Sequence, residues 1–188
     1  MTSWIEEIVA RYYQKKGYFV ILNHNFLIPR EKSGKKVSGW SDIDVLAYNG
    51  HEIHIVQCKA FLGDKKSEES AKRVINWFKV AEEYLRESDY FKPIFSGSHK
   101  LAKVLVVNVP QPKKAIRIVE ENGIEVLPLE DVIVNLITLM DAEIHMHKRR
   151  GHGNVGKEDD VLLAFIRELL LRDMIKLPSK AGSPPPGS

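Results

Sequence analysis

Residues 42–59 read DIDVLAYNGHEIHIVQCK. Two apolar runs flank Asn49-Gly50, the strongest short signal for a tight antiparallel hairpin, because both central positions of such a turn need a left-handed backbone. The dipeptide therefore predicts two paired strands, 42–48 and 52–59, and the rest of the fold has to be built around them. Side chains two apart on a strand share a side. Asp42 and Asp44 should then point one way, and Gln57 and Lys59 should share one side of the return strand. Such groups rarely sit beside a buried sheet without partners.

The flanking sequence supplies layers for that hairpin. Residues 3–16 read as a helix: Ser3 and Glu6 have capping-box spacing, and Ile5, Ile8, Val9 and Tyr12 form one apolar stripe that ends at Gly17. YFVILNHNFLI, 18–28, reads as a strand. Residues 29–40 read as a polar loop. Residues 67–87 form a long helix with Ala71, Val74, Ile75, Phe78, Ala81 and Leu85 on one face. KVLVVNV, 103–109, has the continuous apolar character of a strand buried on both sides. Pro112 opens a helix that runs to about Glu121, IEVLPL is a short strand, and helices follow at 129–147 and 159–175.

Strands alternating with helices after an early hairpin predict an α/β fold, a mixed central β-sheet flanked by helices on both faces. The expected division is an α/β core over 1–128, a helical extension over 129–177, and a tail over 178–188. The tail is too rich in Pro, Gly and Ser to pack, and reads as disordered or as a cloning remnant.

No apolar run approaches the roughly 18 residues that suggest a spanning helix, and the N-terminus lacks a charged-then-apolar export pattern. The single Cys58 excludes an intrachain disulfide and fits a reducing compartment. A cytoplasmic protein with no membrane partner is expected. The net charge of +3, from 28 basic and 25 acidic residues, neither demands nor forbids nucleic acid.

If the hairpin register aligns the two polar pairs, a carboxylate, an amide oxygen and an ammonium converge. Carboxylate and amide oxygens suit Mg²⁺, or Mn²⁺ in its place. A lysine beside that metal can orient a water or stabilise charge growing on a phosphate. Taking about 100° per residue, Glu6 lies at the edge of the first helix's apolar stripe, where a carboxylate can reach the rim of a sheet, whereas Glu7 faces solvent.

A helix bearing Glu6 ahead of Gly17, then a strand, then "DVLAYNG" opened by Asp44, then "IVQCK" ending in Gln57-Cys58-Lys59, resembles the PD-(D/E)XK nuclease superfamily. The pattern is most similar to archaeal Holliday-junction resolvases and Mrr-like restriction nucleases. The resemblance implies a restriction-endonuclease-like fold and a metal-dependent DNA endonuclease. In that scheme Asp44 is the bridging metal ligand, Glu6 holds the metal or its water, and Gln57 coordinates through its amide oxygen. Lys59 positions the attacking water, and Asp42 is a further ligand. It also implies duplex or branched DNA as partner, and a homodimer for cutting both strands. Two departures stand out: no proline precedes the first acid, and Gln57 replaces the usual acid of the last motif. The second leaves a catalytically degenerate nuclease-fold module, binding nucleic acid or serving as a scaffold, as the alternative.

Other features carry weaker signals. Arg30, Lys32, Lys35 and Lys36 can grip phosphates or form a solvated loop. Trp40 can stack on a base or cover the core. Lys65, Lys72, Lys79 and Arg86 make a stripe along the long helix, but interleaved glutamates favour a salt-bridged surface. The histidines of HMHKRRGHG, 145–153, lack the further ligand that a zinc site needs. Cys58 should point away from Gln57 and Lys59, into apolar packing.

Overall fold

The structure, a computed structural model, describes residues 3–33, 38–59, 67–95, 99–109, 111–149 and 160–172. The chain forms two compact units, 1–133 and 134–188.

In chain order the first unit holds α1 (Trp4–Lys15), β1 (Phe19–Ile28), a helical turn α2 (Arg30–Ser33), and the hairpin strands β2 (Gly39–Tyr48) and β3 (Glu52–Lys59). There follow α3 (Ser67–Glu87), a turn α4 (Lys92–Phe95), β4 (Lys100–Val107), α5 (Lys113–Glu121) and β5 (Ile124–Pro128). α6 (Leu129–Arg149) starts in the first unit and continues into the second, which also holds α7 (Val161–Leu171). In the second unit Leu136, Met140 and Ile144 are buried at helical spacing along α6, and Leu163 and Leu170 are buried on α7. None of the described helices is long and apolar enough to cross a membrane.

Five strands make one mixed sheet in the order β1-β2-β3-β4-β5. The first two pairings are antiparallel and the last two parallel. The β2–β3 turn centres on Gly50 and His51, closed by Asn49 N–H donating to the Glu52 carbonyl: Gly50 has the left-handed backbone (φ 91°), but Asn49, expected to share it, does not. Helices cover both faces. On one side Val9 and Tyr13 of α1, with Leu129 and Val132 of α6, pack on Val45, Ala47, Val56, Val104 and Val106. On the other side Ala71, Val74, Phe78, Ala81 and Leu85 of α3, with Ala115 and Val119 of α5, pack on Ile53, Ile55, Leu105 and Val107. This is the mixed, doubly covered sheet that the sequence pattern predicts.

The expected loop at 29–40 holds the helical turn α2, the last helix starts at Val161 rather than 159, and two strand starts differ most. Gly39 and Trp40, expected in a loop, open β2, because ten-residue β1 offers them ladder partners in Ile28 and Leu27. The strand expected from residue 103 starts at Lys100, where Glu52 of β3 is its parallel partner. Pairing available in the assembled sheet outweighs the local polar composition.

The strict alternation expected along the hairpin also breaks. On β1, Val20 and Leu22 pack on the α1 side, whereas Phe26 and Ile28 pack on the α3 side. On β2, Ala47 and Val45 face α1, yet Ile43 joins the α3 cluster. Residues two apart should share a side, so both strands roll over between these positions. The level of the roll is that of Asp44.

Candidate active site

Among the described residues Asp44 is the one charged residue that is buried, at 6% exposure. The roll of β2 places it. The β2–β3 ladder ends at Val45↔Val56, although β2 continues to pair with β1 as far as Gly39. Just beyond the last rung the Asp44 carboxylate fills the gap between the strands. It accepts hydrogen bonds from the backbone N–H of Cys58 and from Gln57 Nε2, the latter at 3.1 Å. Gln57 therefore meets Asp44 as the hairpin predicts.

The site is electrostatically uncomfortable. Burial pushes the Asp44 carboxyl up to about 6, and the negative charges of Glu6 and Asp42 push the same way, against the two hydrogen bonds that favour the anion. The Gln57 amide nitrogen is used, but its Oε1 is buried without a partner. A buried acceptor left unpaired costs free energy. Asp44 thus feels the charge of two further acids and sits beside one unsatisfied oxygen, and both of its hydrogen-bond donors are neutral.

That donor chemistry fits a hard divalent cation: oxygen ligands, net negative charge and one acceptor in want of a partner. Asp44 and Gln57 Oε1 are the groups that could offer oxygens to such an ion, and Asp42 could add a further carboxylate. Glu6 is close enough to raise both Asp44 and Cys58, and each of its own oxygens accepts one hydrogen bond from Ser3. Ser3 Oγ donates to Oε1 at 2.7 Å and Ser3 N–H to Oε2 at 3.0 Å, completing the capping box. Among the described residues no three His, Cys, Asp or Glu side chains are gathered as a ready metal cage.

Lys59 closes β3 two residues beyond Gln57, on the same side of the strand by alternation. Its parallel partner Val107 lines a cavity of about 380 Å³ at the carboxyl ends of β4 and β5, where Ile116, Val126 and Leu129 form apolar walls. Cys58 packs in the α1-side cluster, as expected. Burial and the Asp44 and Glu6 charges raise its thiol, so it is no thiolate nucleophile at neutral pH.

Trp40 does not cover the core. It is 77% exposed and lies directly across from Leu27, itself 46% exposed, two residues from Asp42 on the same strand. Arg30 is exposed on α2. Lys35 and Lys36, the Lys32 side chain, Lys65, residues 150–153 and the side chains of 147–149 lie outside what the structure describes, while His145 lies 3.4 Å from Asp141. On α3, Glu82 pairs with Arg86 and with Lys103 of β4, and Glu68 pairs with Lys114 of α5, so the face is salt-bridged as the interleaved glutamates suggest. Glu7, expected in solvent, is partly exposed and paired with Arg11.

The sequence reading missed a second polar cluster at the start of β3. His54 Nδ1 accepts from Tyr13 Oη at 3.0 Å, Tyr18 Oη donates to Glu52 Oε2 at 3.0 Å, and His54 Nε2 donates to the same oxygen at 3.3 Å. The signal was present in the Glu-x-His spacing, which puts Glu52 and His54 on one side of the strand.

No protein-family model and no curated protein matches the chain. Solved structures similar at low identity include the following three. Protein VC1899 from Vibrio cholerae is 13% identical, with a TM-score of 0.43 over 80% of this chain and 33% of its own. The chain thus spans about a third of that protein's length. The protein of unknown function AF1548 is 14% identical, with a TM-score of 0.41 over 92% of this chain and 97% of its own. The small subunit of the heterodimeric restriction endonuclease R.BspD6I is 15% identical, with a TM-score of 0.38 over 90% of this chain and 80% of its own.

Proposed function

We propose that the chain is a divalent-metal-dependent nuclease of the PD-(D/E)XK type that hydrolyses DNA phosphodiester bonds, cutting within the strand. The observation that carries this reading is Asp44. A buried carboxylate, crowded by Glu6 and Asp42 and hydrogen-bonded to a glutamine whose own oxygen lacks a partner, is costly to maintain and is relieved by a bound cation.

Mg²⁺ or Mn²⁺ held there would polarise a phosphoryl oxygen and lower the pKa of a bound water. The chain's own groups do the rest. Asp44 and Gln57 fix the cation's position, and Asp42 adds charge. Lys59, aligned with Gln57, orients the attacking water and balances charge growing on the phosphate. Glu6, which accepts one hydrogen bond from Ser3 on each oxygen and has further acceptor capacity, adds negative charge. Arg30 and the lysines that follow it contact the backbone, and Trp40 stacks on a base. A homodimer would supply the second site for the second strand.

A second reading, a nuclease-fold module that binds nucleic acid without cutting, is favoured by one observation: both Glu6 oxygens are satisfied within α1. Incubation of supercoiled and branched DNA with Mg²⁺ or Mn²⁺ separates the two. Cleavage by the wild type, lost in Asp44→Ala and Lys59→Ala, supports the nuclease. Binding with a steep salt slope and no cleavage supports the module.

A further inference from the structure

Asn23 has φ 51°, and among the described residues it is the one non-glycine residue with a positive φ. It sits in mid-strand, where an L side chain in the left-handed region is out of place. Its position in the register is specific. Leu22 pairs with Val45 and His24 with Ile43, so Asn23 lies opposite Asp44, and theirs is the rung missing from an otherwise continuous β1–β2 ladder.

The packing on either side of that rung changes together. Before it, Val20 and Leu22 contribute to the α1-side cluster. After it, His24 meets Phe91 edge-on and hydrogen-bonds the Tyr84 hydroxyl, and Phe26 and Ile28 pack on the α3 side. β2 answers with Val45 on one side and Ile43 on the other. One left-handed residue rotates the strand, and its partner strand rolls with it. The roll carries β2 away from β3 just where the Asp44 carboxylate enters the gap and takes the Cys58 N–H, a donor that strand pairing would otherwise use.

The geometry points to Asn23 as a positioning residue, whose backbone conformation, rather than its amide, turns Asp44 into the gap between β2 and β3. Asparagine suits the task because, next to glycine, it tolerates the left-handed region best. The inference takes its metal readout from the proposed function, but its geometric core stands without it.

The test uses the whole ¹⁵N-labelled chain with Asn23→Gly, Asn23→Ala and Asn23→Val. The first readout is the Cys58 amide proton, its chemical shift and solvent exchange, with no metal present. The second is the affinity for Mn²⁺ alone. Asn23→Gly should keep both near wild type. Asn23→Ala and Asn23→Val should move the amide upfield, speed its exchange and weaken Mn²⁺ binding by about tenfold, the equilibrium counterpart of the left-handed penalty for an L side chain. If Asn23→Val fails to fold, Gly against Ala decides alone. Loss of both readouts in Asn23→Gly, or wild-type values in Asn23→Ala, overturns the inference. The amide readout needs neither metal nor DNA, so a chain that cuts nothing still answers the question.

Discussion

Glu52 and His54 begin β3, and Gln57 and Lys59 finish it. At the first end every polar group has an answer. Tyr18 and His54 donate to Glu52, Tyr13 donates to His54, and Lys100 lies 3.4 Å from the Glu52 carboxylate. Those donors hold the Glu52 carboxyl down at about 2, the hydrogen bond from Tyr18 foremost. At the other end Asp44 is pushed up to about 6, and Gln57 keeps an unpaired oxygen. The two ends share a strand but not a side of it: by alternation His54 goes with Val56 and Cys58 toward α1, and Gln57 and Lys59 go with Ile53 and Ile55 toward α3, so the difference lies in the groups that surround each end. A satisfied network fixes structure. An unsatisfied one marks a place where a ligand completes the set.

The contrast breaks most easily at Asp44. Asp44→Ala should lower metal-dependent cleavage by about a thousandfold, since it removes the carboxylate at the centre of the charge-stabilising set. A DNA-nicking time course checks this.

Asp44→Asn should do the opposite to stability. Raising a carboxyl from 3.8 to about 6 means that its ionised form costs the fold up to about 3 kcal/mol. Between about pH 4 and 6 the folded chain holds a proton that the unfolded chain releases. Stability therefore falls as pH rises through that window and is level above it. The variant should be more stable than wild type at pH 7.5 by up to about 3 kcal/mol, and the gap should close below pH 4. Denaturant titrations at several pH values measure it.

At the other end His54→Leu should destabilise by about 1–3 kcal/mol, because the Tyr13 hydroxyl, buried within the α1 cluster, is left without its acceptor. Its pH dependence has the reverse sign. Burial lowers His54 below its ordinary value of 6.5, so the unfolded chain takes up a proton that the folded chain refuses. Stability is lost as pH falls below about 6.5, and His54→Leu should abolish that loss. Lys100→Ala, at an ion pair whose lysine is 76% exposed, should leave the melting temperature unchanged.

What the sequence disclosed was what is local. The hairpin itself was legible, although its turn centres on Gly50 and His51 rather than on Asn49 and Gly50; Ser3 and Glu6 form their capping box, and the observed register brings Asp44 to Gln57. The roll at Asn23 was hidden because period-two reading assumes an unbroken strand, and a single left-handed asparagine has no composition signal. Trp40 was ambiguous for a related reason: its exposure depends on Leu27, thirteen residues earlier, taking it as a ladder partner outside the core. The Tyr13, Tyr18 and His54 cluster joins α1 to β3 across more than thirty residues of sequence, a contact that no spacing rule reaches.

The most direct test of the contrast is a Mn²⁺ titration of the ¹⁵N-labelled chain, read as paramagnetic line broadening. Saturable broadening that is strongest at the Gln57 side-chain amide and the Cys58 backbone signal, falls off along β3 toward Glu52, about 17 Å away, and is absent in Asp44→Asn, is the predicted result. Broadening that spares Gln57 and Cys58, or that strikes both ends of β3 alike, would contradict the account.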